Sequence, residues 1–257
     1  MNNRNQPPIQ LQITPLSPWV KKIIIANVAI WFFVQIVLEN LLLKSSPVTA
    51  LFGLTPQLFI EYFFIWQPLT YMFLHSESVF HILFNMISLW FFASELEYRW
   101  GGRSFLLYYL SCGVGAALIY LFGVILVGLV QGLEPMVYRI PVIGASGAVF
   151  SVLLAYGVLF GDRIIYFFGV FPMQARYFVM VIGGVEVFSL MTSGLGGSQV
   201  ANLAHIGGLI SGYLYLYFWT RSRRNGKPRG ARRNLRLVVN NSKAEPSGKS
   251  DGPRFWN

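Results

Sequence analysis

The sequence predicts an all-α membrane protein with six transmembrane helices, and three observations carry that expectation. Of 257 residues, 54% are hydrophobic and only 12% charged, whereas about a quarter are charged in soluble domains. Six apolar stretches can be drawn, at 23–43, 78–95, 105–130, 142–160, 175–193 and 200–219. The basic residues fall almost entirely on one side of the membrane that these stretches define. Mean hydropathy is +0.53.

Spanning a bilayer takes roughly 20 residues, fewer where a helix starts below the surface. The first stretch follows Lys21 and Lys22 and is longer than the apolar region of a secretory signal, so it reads as a retained anchor. Between the first two spans, "LFIEYFFIWQPLTYMFLH" is apolar but interrupted by Glu61, Gln67 and Pro68. Its short runs suit a re-entrant or interfacial element better than a seventh span.

Charge then orients the six spans. With the amino terminus inside, Arg4, Lys21, Lys22, Arg99, Arg103, Arg163, Arg176 and the eleven Lys and Arg beyond Trp219 are all internal. Only Lys44 and Arg139 fall outside, so both termini are expected in the cytoplasm. The organisation expected is a flexible amino terminus (1–19), a six-helix domain (20–219) and a basic, disordered cytoplasmic tail (220–257). Beside a hydrophobic helix the tail, within a chain of net charge +10, marks a flank facing anionic lipid, not a nucleic-acid site. The single cysteine, Cys112, allows no intrachain disulfide and no metal site of its own.

Polar side chains inside hydrocarbon are tolerated mainly where they are paired or line a wet cavity. Three of them share a depth here. Ser146 to Phe160, His205 to Trp219 and His81 to Glu95 are each fourteen steps on spans that run the same way. At about 1.5 Å per residue, each lies roughly 21 Å above the inner boundary. Asn85, four residues after His81, lies on the same helical face one turn deeper.

A serine hydroxyl needs a base to take its proton, and histidine is the usual one, which pairs His205 with Ser146. His81 and Asn85 can donate to a developing oxyanion, with the Ser146 N–H as a third donor. "GASGA" admits another backbone beside Ser146, and Gly208 and Gly212 form a small-xxx-small stripe through which the fourth and sixth spans can meet. Singly, each feature has an ordinary reading: a helix cap, an interhelical hydrogen bond, helix packing. "GASGA" also lacks the final glycine and the strand–turn–helix setting of the G-x-S-x-G elbow. Only the combination points to chemistry.

That combination resembles the rhomboid family of intramembrane serine proteases. The matching pieces are "HILFNM", "GASGAVF" and "NLAHIGGLISG", with "WQPLTYMFLH" before the second span and "ELEYRWG" after it. The resemblance covers roughly 20–219 and implies a Ser–His dyad without an acidic third member, no metal and no cofactor. Ser146 matches the nucleophile, His205 the base, and His81 and Asn85 the oxyanion side chains. Gly144 falls in the family's glycine–x–serine–glycine motif, and Glu97 and Arg99 match a structural cluster before the third span. Phe150 stands where some relatives carry a tyrosine that stacks on the histidine. The segment from His75 to His81 is one residue longer than in some relatives, and no role is assigned to His75.

Glu186 in the fifth span reads as a residue that bonds a loop or lines a water path. In the family the fifth helix and its following loop are associated with substrate access, and here that loop, "TSGLGGSQ", is glycine-rich. The expected function is cleavage of membrane proteins in or near their transmembrane segments, in a bacterial plasma membrane. The alternatives are an inactive rhomboid-like protein that escorts membrane clients, and a small transporter using His81, His205 and Glu186 as proton sites. The absence of internal repeats counts against the transporter.

Overall fold

Glu97 determines where the first helix begins. The computed structural model describes residues 14–132, 135–167, 170–193 and 200–225. In it, helix α1 (Pro18–Leu43) opens with proline at its first position, where the missing N–H is no loss. Its next free donors are taken up by the buried Glu97 carboxylate. Trp19 N–H and Val20 N–H donate to it at 3.0 Å, and Ser17 Oγ donates at 2.5 Å. A negative charge at a helix N-terminus also suits the dipole. The second half of α1, Trp31–Leu43, is wound more widely, and Lys44 ends it in a left-handed conformation.

Glu97 itself lies in α5 (Val79–Trp100), which a turn at Gly101 joins to α6 (Gly102–Gln131). Between α1 and α5 come three short helices, α2 (Pro47–Phe52), α3 (Pro56–Tyr62) and α4 (Gln67–Thr70), each opened by a proline at its first or second position. No seventh long helix forms in this stretch, as the interruptions in its apolar runs predict.

Helix α7 (Ser146–Leu159) follows an extended segment, and α8 (Ala175–Ser193) and α9 (Val200–Asn225) complete the bundle. Among the described residues, α1, α5, α6 and α8 are long and apolar enough to cross a membrane. Helix α7 is apolar but has 14 residues. At about 1.5 Å per residue it is shorter than a hydrocarbon core of about 30 Å. Helix α9 is long, but its apolar part includes Asn202, His205 and three tyrosines.

The fold is not helical throughout. Ile164–Phe167 and Phe171–Gln174 form a two-stranded antiparallel hairpin, β1–β2, between α7 and α8. Both strands are only four residues long, too short for periodicity to separate them from a loop.

Helix α9 packs most extensively against α6 and α7, through small residues. A Cβ on Gly207 would sit 2.8 Å from the Ala116 carbonyl oxygen of α6. A Cβ on Gly208 would run into the Gly147 carbonyl of α7, and one on Gly212 would sit 3.0 Å from Ser151 Cβ. The expected meeting of the fourth and sixth spans along Gly208 and Gly212 is therefore what the backbone does. Hydrogen bonds reinforce it: Tyr108 Oη donates to the Ser151 carbonyl at 2.6 Å and Ser211 Oγ to the Cys112 carbonyl at 2.9 Å. Helix α8 is the peripheral member, with 6% of its most apolar window buried inside the protein.

Glu97→Ala leaves two backbone donors and the Ser17 hydroxyl without their acceptor, and is expected to cost about 2–4 kcal/mol. Thermal unfolding in detergent should show a clear drop in Tm, smaller for Glu97→Gln, which keeps an acceptor oxygen.

Candidate active site

Ser146 is the first residue of α7, so its backbone N–H has no acceptor within the helix. The chain reaches it along an extended segment that the α1–α5 connection holds in place. Val142 exchanges two backbone hydrogen bonds with Leu54, at 2.8 and 2.9 Å. Gly144 N–H donates to the Tyr71 carbonyl at 3.0 Å, and Tyr71 Oη donates to the Gly113 carbonyl of α6 at 2.9 Å. Ala145 N–H points at His75 Nε2, 3.5 Å away. The polar Gln67 locks the same connection by accepting from Thr55 N–H and donating to the Leu51 carbonyl.

Across from this segment, α9 brings His205 to Ser146. Ser146 Oγ and His205 Nε2 are 2.8 Å apart. Phe150, one turn along α7, lies flat on the imidazole with ring centroids 4.3 Å apart and planes 11° from parallel. The stack fixes the ring plane and leaves the Nε2 edge facing the serine.

His81 approaches from α5. A Cβ on Gly144 would stand 2.8 Å from His81 Nε2 and 3.5 Å from Ser146 Oγ, so the imidazole edge and the hydroxyl both border the space that Gly144 leaves open. Gly144 also has φ +131°, which favours glycine. The protonation of His81 follows from its other nitrogen. Ser76 N–H can only donate, and it meets Nδ1 at 3.2 Å. The ring proton is then on Nε2, on the Ser146 side. Asn85 is buried and donates one amide N–H to the His81 carbonyl at 2.8 Å. The second N–H of that amide is in no other bond among the described residues.

Two groups behind the site were not singled out by sequence. Gln35 of α1 donates to the His75 carbonyl and accepts His75 N–H at 2.7 Å, and Trp31 Nε1 donates to the Ser76 carbonyl at 2.9 Å. Both brace the segment that contacts His81 and Ala145. The available signal was Gln35 and Glu39 four residues apart in an otherwise apolar span, which is costly unless turned inward. Burial, with His81 adding to it, holds the His75 imidazole well below its ordinary range, so this fully buried ring is neutral. A cavity of about 410 Å³ opens beside the segment, lined by Gln35, Glu39, Thr49, His75, Ser76 and Glu77 among others.

Of the remaining sequence-predicted residues, Glu97 caps α1, and Arg99 lies over the Phe160 ring at 5.3 Å. Glu186 of α8 points inward, its Oε2 3.1 Å from His205 Nδ1. The contact is an ion-pair distance without hydrogen-bond alignment, for Nδ1 has no directed partner. The glycine-rich loop at 194–199 lies outside the described residues, as do the chain ends at 1–13 and 226–257. No cluster of potential metal ligands occurs among the described residues.

Comparison with known proteins matches the chain to the family described as the rhomboid domain, over residues 62–222. It is 30% identical over 174 residues to the rhomboid protease GlpG of Serratia proteamaculans, covering 65% of this chain and 53% of that one. It is 30% identical over 154 residues to the rhomboid protease GluP of Bacillus subtilis, covering 58% of this chain and 25% of that one. Rhomboid protein 1 of yeast mitochondria is 29% identical over 150 residues, 57% of this chain and 39% of that protein. The chain thus spans about half of the Serratia relative's length and a quarter of the Bacillus one's. The matched region covers more than half of the sequence and includes Ser146, His205, His81 and Asn85, and the chain, a helical integral membrane protein, belongs to the rhomboid family.

Proposed function

We propose that this chain is an intramembrane serine endopeptidase that cuts membrane proteins in or near a transmembrane segment. The observation that carries the reading is the 2.8 Å approach of Ser146 Oγ to His205 Nε2, with His81 Nε2 directed to the same space. An inactive escort protein has no need of that convergence. Two relatives named as proteases support the same activity.

In this mechanism His205 takes the Ser146 proton as Oγ attacks the scissile carbonyl. The oxyanion of the tetrahedral intermediate accepts hydrogen bonds from the Ser146 N–H, His81 Nε2–H and the free N–H of Asn85. His205 then gives its proton to the leaving amine, and an acyl-enzyme remains. A water deprotonated by His205 attacks the ester and restores the Ser146 hydroxyl. We place the approach of water on the side of the cavity lined by His75 and Ser76. No metal or cofactor is required.

A transmembrane helix hides its carbonyls in hydrogen bonds, so a substrate must unwind before Ser146 reaches one. Substrates with Gly, Pro or polar residues near the cut, and a small residue before it, fit that requirement. The proposed setting is a bacterial plasma membrane with six spans, both termini in the cytoplasm and Ser146 near the outer face. The basic tail would then lie against anionic lipid.

A fluorophosphonate probe tests the reading on detergent-solubilised protein. Wild type should be labelled and should cleave a transmembrane-segment substrate, while Ser146→Ala and His205→Ala should do neither. A folded wild type that neither reacts nor cleaves would sink the protease assignment. His81→Ala should lower kcat about a hundredfold with labelled protein still folded. Gly144→Ala sets a methyl group against His81 Nε2 in a conformation alanine resists. It should cut the labelling rate at least tenfold while lowering stability by only about 1–3 kcal/mol.

A further inference from the structure

We infer that Glu186 is a positioning residue for His205, a carboxylate set behind the Ser146–His205 pair on the ring edge away from the serine. The inference rests on the protease reading above. Three observations carry it. Glu186 Oε2 is 3.1 Å from His205 Nδ1, on the ring edge opposite Ser146. His205 Nδ1 is a buried ring nitrogen with no directed hydrogen bond. The Glu186 side chain is only 16% exposed although it projects from the peripheral helix α8.

When Nε2 accepts the Ser146 proton, the imidazole must already carry its other proton on Nδ1. A carboxylate beside Nδ1 selects that tautomer and then stabilises the imidazolium that forms. Phe150 fixes the plane of the ring, and Glu186 fixes which nitrogen is the base. The carboxylate lies off the Nδ1–H direction, so it acts by charge more than by a directed bond. Charge acts strongly in a site of low dielectric.

Other groups near His205 do not offer this. His81 presents a ring proton, Phe150 a hydrocarbon face, and α6 meets α9 beside Gly207 through Ala116 and Ile119. Among the described residues, no other carboxylate is paired with a histidine. Residues 194–199, "GLGGSQ", contain no ionisable side chain.

The test compares Glu186→Gln and Glu186→Asp with wild type, using saturation kinetics of fluorophosphonate labelling and of cleavage of a transmembrane-segment substrate. Glu186→Gln keeps the size and removes the charge. It should lower the maximal labelling rate and kcat about ten- to a hundredfold, with the half-saturating concentration and KM within twofold. Glu186→Asp should recover part of the loss. Glu186→Asn against Glu186→Asp supplies the same charge-only comparison at a shorter length if the Gln variant does not fold. Wild-type rates in the Gln and Asn variants, or a loss confined to KM, would overturn the positioning role while leaving the Ser146–His205 reading intact. An inert wild type would instead overturn both.

Discussion

The Gly147 carbonyl of α7 faces Gly208 of α9 so closely that no side chain fits between them, and the site depends on that approach. Helices in lipid gain little from the hydrophobic effect against one another. They associate through close packing and interhelical hydrogen bonds, which small residues permit. Gly208 is three residues after His205 and Gly147 immediately follows Ser146. The backbone contact therefore lies next to the Oγ–Nε2 approach and fixes it at 2.8 Å. A larger residue at either glycine would push α7 and α9 apart, and the Phe150–His205 stack would open with them. Gly207 against Ala116 ties the same stretch of α9 to α6, so the histidine is held from two directions.

The serine is positioned differently, by polar groups in the connection between α1 and α5. Leu54, Tyr71 and His75 each bond to the chain just before α7, at Val142, Gly144 and Ala145. His75 is in turn held by Gln35, and Ser76 by Trp31. A polar group in an apolar span must find a partner or lie in water. Gln35 meets that demand by bracing the segment that also sets the tautomer of His81. The cost of a glutamine in the first span is thus offset by a rigid oxyanion side of the site.

Much of this was legible in the sequence because it obeys helical periodicity. Ser146, His205 and His81 could be matched by counting along parallel helices, and Asn85 by its four-residue spacing from His81. The small residues of α9 revealed which helices touch. What the sequence hid were contacts carried by irregular chain. Ser76 on His81, Tyr71 beneath Gly144 and Gln35 on His75 join segments five to about seventy residues apart, and no local period relates them. The β1–β2 hairpin escaped for a similar reason, since its strands are too short to show alternation. The motif places Glu97 in a structural cluster before the third span, but no local pattern links it to the start of α1, which it caps from almost eighty residues away.

Glu186 shows how the membrane sharpens such an interpretation. Helix α8 meets the bundle at, among other places, Phe178 stacked on Phe92, Val179 beside Gly157, Leu209 beside Gly183, and Glu186 beside His205. Its outer face, with Met180, Val181, Val185, Phe188 and Met191, is exposed on the side away from the protein. On such a helix a carboxylate has two directions to face, and lipid is the expensive one. Turned inward, it loses its hydration and needs a positive or proton-bearing partner, which the Nδ1 edge of His205 supplies. The same geometry that makes the carboxylate tolerable on α8 gives the histidine a fixed charge on the side away from Ser146.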